Sequence, residues 1–402
     1  MQAKSILISG IGIAGPTLAY WLAARGFEPT LVERAPRPRS GGYVVDFWGV
    51  GYDVAEWMGL LPDLHREGYD VEEVRFVDAS GRRVGGFGVD VLRRLTNGRY
   101  VSLPRGELAQ LVYRQIADRC ETMFDDGVTA IKQEGDGVRV EFERAPARRF
   151  DLVIGADGLH SEIRRLAFGE EHRFEKYLGY LVAACEVKGY RPRDGRVYVS
   201  YAVPGKQVAR FAMREERTLF LFVWAAREPP AIGPHDAGAQ RAILHAAFGD
   251  AGWECPEMLA ALDRSEELYF DPVSQIRMDS WSKGRVALVG DAAFCPSLLA
   301  GQGSALAMAA AYVLAGELGN AQSQPEEAFR RYESLLRPLI SGKQKAAEQF
   351  ASAFAPRTWL GLCLRNLVTK AFALPFVAKL ALGQSLSDRI ELPHYPRLRD
   401  AP

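Results

Sequence analysis

Apolar residues gather in short runs that stop abruptly at glycine or an acid. Ser5-Ile6-Leu7-Ile8-Ser9 runs into Gly10, and Pro29 to Val32 ends on Glu33. Asp151 to Ile154 ends on Gly155-Ala156-Asp157-Gly158, and Arg285 to Val289 ends on Gly290-Asp291. Apolar runs of this length read as strands buried on both faces. Between them the period changes to three and four. Pro16–Arg25 carries Leu18, Trp21 and Leu22, and Arg105–Arg119 carries Leu108, Leu111, Val112 and Ile116 on one helical face. A small-residue helix, Ser304–Leu318, and a long amphipathic helix, Glu326–Phe350, follow the last strand. Elsewhere, Gly41 to Asp46 reads as a short strand, Asp53–Leu60 as a helix, and 127–132 with 137–142 as a hairpin turning at Gly135-Asp136-Gly137.

Two stretches break the alternation of strand and helix. Residues 72–103 read as strands and turns. Residues 177–275 carry strand-like runs at 178–188, 196–203, 207–213 and 217–225, a helix near 237–247 and an apolar segment at 267–272. The pattern predicts an α/β fold: a Rossmann-like domain over 1–73, 98–172 and 276–350, with an inserted, mostly antiparallel β-sheet domain over 74–97 and 173–275. Residues 351–402 form a C-terminal helical tail, apolar from Trp359 to Leu382 but interrupted by Arg365, Lys370, Pro375 and Lys379. Its expected place is on the body, with membrane-surface contact as the alternative.

Composition narrows the classes. The 402 residues include 50 Lys plus Arg and 50 Asp plus Glu, so no basic excess points to nucleic acid. Five cysteines without a Cys-x-x-Cys pair predict neither a disulfide framework nor a metal site, and fit a reducing, cytoplasmic compartment. The first strand leaves no room for a signal peptide, and no apolar run is long enough for a transmembrane helix. A monomer and a homodimer are equally compatible with the chain.

The first strand–helix–strand unit carries Gly10-Ile11-Gly12-Ile13-Ala14-Gly15, with Glu33 18 residues after Gly15. That is the arrangement of a dinucleotide site: Gly10 turns the chain, Gly12 lets the backbone approach a pyrophosphate, and Gly15 lets the helix pack on the sheet. The helix N-terminus, with Ile13 and Ala14, offers N–H groups to phosphate. Glu33 suits the hydroxyls of an unphosphorylated ribose, in FAD or NAD, with Arg34 beside it as a counter-signal toward NADP. The other strand ends, Asp157-Gly158 and Gly290-Asp291, predict convergence on the same crevice. Asp291 suits ribityl hydroxyls, and Gly301-Gln302-Gly303-Ser304, opening a helix, suits an anionic ring edge.

Taken together, Gly-x-Gly-x-x-Gly, Asp157-Gly158-x-x-Ser161-x-x-Arg164 and Gly290-Asp291-Ala292-Ala293 followed by Gly301-Gln302-Gly303 resemble the class A flavin monooxygenases of the p-hydroxybenzoate hydroxylase type, over roughly residues 1–350. Arg105, opening its helix, is similar to the family arginine that contacts FAD. The resemblance implies a glutathione-reductase-type FAD-binding domain, non-covalent FAD, transient NADPH (or NADH) and O2 as co-substrate. It implies that a flavin hydroperoxide hydroxylates or epoxidises a hydrophobic phenolic, indolic or polycyclic substrate, in natural-product tailoring or antibiotic modification. The Asp157 motif is associated with both cofactors in that family; a plain strand-to-helix turn is its alternative.

This chain departs from the family at Phe294, Leu298 and Ala305, which stand where His, Pro and Asn are usual, with Pro296 two positions before Leu298. Asp46, Pro296 and Leu298 are the candidates for catalytic positions near the flavin. Tyr43, Phe47, Trp48, Tyr201, Phe211, Phe222, Trp224 and Phe294 are the expected aromatic wall. Of the six histidines, His160 sits inside the Asp157 motif, on an expected surface turn, and His65, His172, His235, His245 and His394 show no spacing that suggests a triad or metal ligand. Two alternatives remain open at this level: an FAD-dependent reductase or dehydrogenase on the same fold, and a non-catalytic flavoprotein that binds a reactive intermediate.

Overall fold

A computed structural model describes residues 4–38, 43–233, 236–265, 267–321, 324–373, 376–380 and 390–395. Gly41 and Gly42 of the predicted short strand, His235, and residues 374, 375, 381 and 382 of the predicted tail helix lie outside them.

The apolar runs form one sheet, in the order Ser282–Lys283, Val286–Leu288, Leu152–Gly155, Ser5–Ser9, Glu28–Glu33, Glu121–Phe124. All neighbours are parallel except the first pair. Ile6, Leu7, Ile8, Leu152, Val153 and Ile154 are wholly buried, which is why these strands read as unbroken apolar runs. Glu121–Phe124, mostly half-buried at the edge, carries no such run and escapes sequence reading. The helix Ala14–Ala23 packs on Gly303–Asn320, which is buried along nearly its whole length because alanine and glycine let its neighbours approach closely. Where Val50–Trp57 crosses it, a Cβ at Gly51 would stand 2.3 Å from the Ala305 Cα.

The second layer is a seven-stranded sheet, ordered Tyr269–Ile276, Glu175–Lys188, Arg217–Ala225, Lys206–Ala212, Val197–Val203, Glu73–Val77, Arg83–Gly88. The early excursion therefore completes the edge of a sheet built mostly from later residues, pairing parallel to Val197–Val203. One face packs Leu181, Phe222 and Trp224 under the helices Ala237–Phe248 and Cys255–Leu262. Cys255–Leu262, Leu61–Glu67 and Asp90–Leu95 are each two turns or so, too short for periodicity to reveal. The helix expected over Arg105–Arg119 ends at Arg114, and the long helix runs from Pro325 to Phe354. A two-stranded ribbon, Val44–Trp48 against Tyr100–Pro104, joins the layers. No helix among the described residues is long and apolar enough to cross a membrane.

Candidate FAD and substrate site

The parallel strands deliver their carboxyl ends to one cavity. Its floor comes from Gly12, Ile13 and Ala14 of the glycine loop, with Ala156 and Gly158 from the next strand end. Asp291, Gly301, Gly303 and Ser304 come from the third. The three motifs separated by more than 100 residues in sequence thus share one crevice.

Each glycine in the first loop meets a different constraint. Gly10 has φ +106°, and a Cβ there would lie 2.5 Å from the Ala156 carbonyl oxygen. A Cβ on Gly15 would lie 2.0 Å from the Gly10 carbonyl oxygen. These two are required by the protein's own packing. Gly12 is otherwise: a Cβ there meets only the Arg105 guanidinium, at 3.7 Å, and projects into the cavity. That is a cradle kept open for a ligand, and it fits the pyrophosphate of FAD. The N-termini of Ala14–Ala23, Arg105–Arg114 and Gly303–Asn320 all border the cavity. Their partial positive charges, with Arg105, form a field that favours phosphate and an anionic ring edge. Asp291 opposes it with a carboxylate that burial pushes up in pKa and Arg105 pulls down.

Glu33 lies at the end of its strand and does not line the cavity. Its Oε2 accepts from the Ile11 N–H at 2.9 Å and its Oε1 from the Ala35 N–H at 3.0 Å, so it braces the glycine loop. Arg34 points away and pairs with Glu143 at 3.3 Å, with about half of each side chain exposed.

Asp157 stands behind the cavity wall rather than in it. It is hydrogen-bonded by the Ser161 hydroxyl and by the Ile163 N–H at 3.1 Å, while Ser161 Oγ accepts from the Arg164 N–H at 3.0 Å. Burial raises the Asp157 pKa. The turn is thus a helix cap, and its neighbour Gly158, at φ +83°, is what faces the crevice. Arg164 is fully buried. It donates to the Ala292 carbonyl at 3.0 Å, the Leu159 carbonyl at 2.6 Å and Glu171 at 2.5 Å. The second motif therefore fixes the third.

The opposite wall consists of Tyr43, Val45, Tyr269, Pro272, Ser274, Cys295, Ser297 and Leu298. Of the eight aromatics expected to line it, only Tyr43 does so. Phe47 and Phe294 are core, the latter 4.7 Å from the Trp281 ring. Tyr201, Phe222 and Trp224 pack under the outer helices. Trp48 and Phe211 belong to the cluster behind the ribbon, although the Trp48 ring reaches within 3.8 Å of where a Gly301 Cβ would stand.

Of the three catalytic candidates, Leu298 lines the cavity, and Asp46 and Pro296 do not. Strand alternation decides Asp46: Val45 faces the cavity, so its neighbour faces away. Asp46 accepts from the Tyr100 and Ser102 hydroxyls at 2.5 and 2.6 Å, and burial raises its pKa. Pro296 is buried, its carbonyl accepting from Gln275 Nε2 at 3.1 Å. Gln344 Nε2 donates to the Ile276 and Phe294 carbonyls at 2.8 and 3.2 Å, so two buried glutamines hold the loop after Asp291 in place. Gln302 is buried next to the cavity, and Gly290, at φ +67°, shapes the turn beneath it.

Sequence reading missed Tyr269, Ser274, Cys295 and Ser297. Cys295 lies one helical turn from Asp291, a spacing that places both on one face; burial raises its thiol pKa. Ser297 adopts φ +102°, ψ +143°, a conformation normally reserved for glycine, and its hydroxyl accepts from the Leu299 N–H at 3.3 Å. The pairing of His160, expected only on a surface turn, was also missed. Its ring Nδ1 lies 2.8 Å from Glu171 and its Nε2 3.0 Å from Asp271, and these hydrogen bonds raise the pKa of His160 to about 10. Asp271 in turn accepts from the Tyr269 hydroxyl at 3.2 Å. A charged imidazole thus joins the capped turn to the strand that roofs the cavity.

Residues 3–340 match the family described as the FAD binding domain. An uncharacterised protein of Mycobacterium tuberculosis is 38% identical over 348 residues, covering 85% of this chain and 92% of its own length. A flavin-dependent monooxygenase of Legionella longbeachae is 32% identical over 409 residues, covering 97% and 98%. Among solved structures, the tetracycline destructase Tet(51) superposes with a TM-score of 0.84 at 33% identity, covering 98% of this chain and 100% of that one.

Proposed function

Because the chain belongs to the FAD binding domain family, among its FAD-dependent monooxygenases, we propose that it hydroxylates a hydrophobic aromatic substrate, phenolic, indolic or polycyclic, using a nicotinamide nucleotide and O2. The observation that carries the reading is the division of the cavity. One wall is backbone amides, helix N-termini, Arg105 and Asp291; the other is Tyr43, Tyr269, Pro272, Cys295 and Leu298. The first suits a charged cofactor and the second an apolar ring. The similarity to a protein named tetracycline destructase supports a fused polycycle in particular.

FAD, when bound, supplies the transfer of electrons and the activation of oxygen. The protein's own residues do the rest. Gly12, Ile13 and Ala14 would hold the pyrophosphate, and Asp291 a hydroxyl of the ribityl chain. The N-terminus of Gly303–Asn320 favours negative charge at the ring. Tyr43, Tyr269 and Leu298 position the substrate and exclude water, which protects a reactive oxygen species from loss. Leu298, standing where proline is usual, keeps that wall apolar without altering the cofactor's seat.

The test is NADPH and NADH oxidation by FAD-loaded protein in air, over a panel of phenols, indoles and fused polycycles, with mass spectrometry of the products. A product heavier by one oxygen atom is expected with at least one fused polycycle. FAD retention with no stimulation by any of them overturns the reading.

A further inference from the structure

The C-terminal helix Trp359–Lys370 turns most of its large apolar side chains outward. Its inward face carries Leu362, 4% exposed, together with polar side chains. Arg365 donates to Gln207 Oε1 at 2.6 Å and to the Phe354 carbonyl at 3.1 Å, and stacks 4.2 Å over the Phe76 ring. Thr369 Oγ1 accepts from the Gly86 N–H at 3.3 Å, and the Asn366 backbone packs where a Gly85 Cβ would come within 3.1 Å. Its outward face carries Leu360, Leu364 and Leu367, 80%, 59% and 65% exposed. Trp359, Phe376 and Leu380 of the same tail are exposed too, and among the described residues these six are the large hydrophobics that stand exposed. A helix seated by Leu362, Arg365 and Thr369, with three leucines turned outward, is built for an apolar medium outside the protein.

Charge selects the medium. From Gln349 to Ser387 the sequence holds Arg357, Arg365, Lys370 and Lys379 and no Asp or Glu, in a chain whose net charge is zero. Lys370 and Lys379 are exposed, as is Arg357, whose guanidinium donates to the Gly179 carbonyl at 3.0 Å. We propose that this face docks on the surface of a bilayer containing anionic lipid, the leucines entering the acyl boundary and the cations meeting the headgroups. A second copy of the same face would bring like charges together, which disfavours self-association. The helix has 12 residues, so it lies on the membrane and does not cross it.

The test is flotation of the full FAD-loaded chain with vesicles of phosphatidylcholine alone or mixed with phosphatidylglycerol. Binding is expected to the mixed vesicles and to weaken with salt. Each of Leu364→Glu and Leu367→Glu should weaken it about tenfold or more, and Lys370→Glu roughly fivefold or more, with bound FAD and thermal midpoint unchanged because all three side chains are exposed. Cys363, exposed on the same helix while the other four cysteines are buried, accepts an environment-sensitive dye whose emission should shift to the blue on the mixed vesicles. Absence of flotation overturns the proposal, as does flotation that the variants leave unchanged. A concentration-dependent dimer broken by Leu364→Glu, without vesicle binding, assigns the face to a second copy and overturns it equally.

Discussion

The two walls of the cavity are made of different materials. On the proposed cofactor side the surface is mostly backbone: glycines and helix ends, with Arg105 and Asp291. On the roof side it is side chains brought from the seven-stranded sheet and from the loop after Asp291. A backbone surface depends on the presence or absence of a Cβ, which one residue decides. A side-chain surface depends on which face of a strand is turned inward, which the whole sheet decides. The first is therefore brittle to substitution and legible in spacing; the second tolerates change and is hidden from it.

Substitutions can break this comparison. The largest effect is expected at Arg164. Arg164→Met strands the Ala292 and Leu159 carbonyls and Glu171, and should cost about 3–5 kcal/mol in denaturant unfolding. A cost near zero would mean that the second motif does not hold the third. Gly15→Val places a Cβ against the Gly10 carbonyl and should cost about 3 kcal/mol or more, with loss of FAD. Gly12→Val sharpens the contrast. Its Cβ meets no protein atom closer than 3.7 Å, so thermal stability without FAD should hold within about 0.5 kcal/mol while FAD absorbance per chain falls at least about tenfold. If both glycine variants unfold alike, the division between packing glycines and ligand glycine fails.

On the roof side the expected effects are smaller. Asp46 faces away from the cavity, so Asp46→Asn should leave the turnover of a stimulating aromatic within about threefold, as measured by coupled oxygen uptake. The smallest effect concerns pH. His160 is protonated more readily in the folded chain, its pKa raised from an ordinary value near 6.5 to about 10. The stabilisation is therefore complete below about pH 6.5 and is lost as pH rises toward 10. The ring is half exposed, so the gain is modest. Urea midpoints measured across that window should fall more steeply for the parent than for His160→Gln.

The tail gives the same lesson in reverse. Its apolar composition suggested a segment packed on the body, and Leu362, Arg365 and Thr369 do seat it there, but only the structure shows that Leu360, Leu364 and Leu367 face outward.

By itself the sequence determined where the motifs of the proposed cofactor half lie, though not that Glu33 braces the glycine loop and Asp157 stands behind the wall. Four buried strands, the glycine loop, Glu33 at its strand end, the Asp157–Ser161 cap and the Gly290-Asp291 turn are all local events. Each is set by whether a few consecutive residues can turn, cap or approach. Tertiary structure decided the roof and the acid–base pairs. Val45 rather than Asp46 reaches the cavity because the ribbon turns that face inward. Phe294 and Trp224 are core because other elements cover them. His160 finds Glu171 and Asp271 across 11 and 111 residues. Such contacts follow from how layers stack, and no spacing along the chain encodes them.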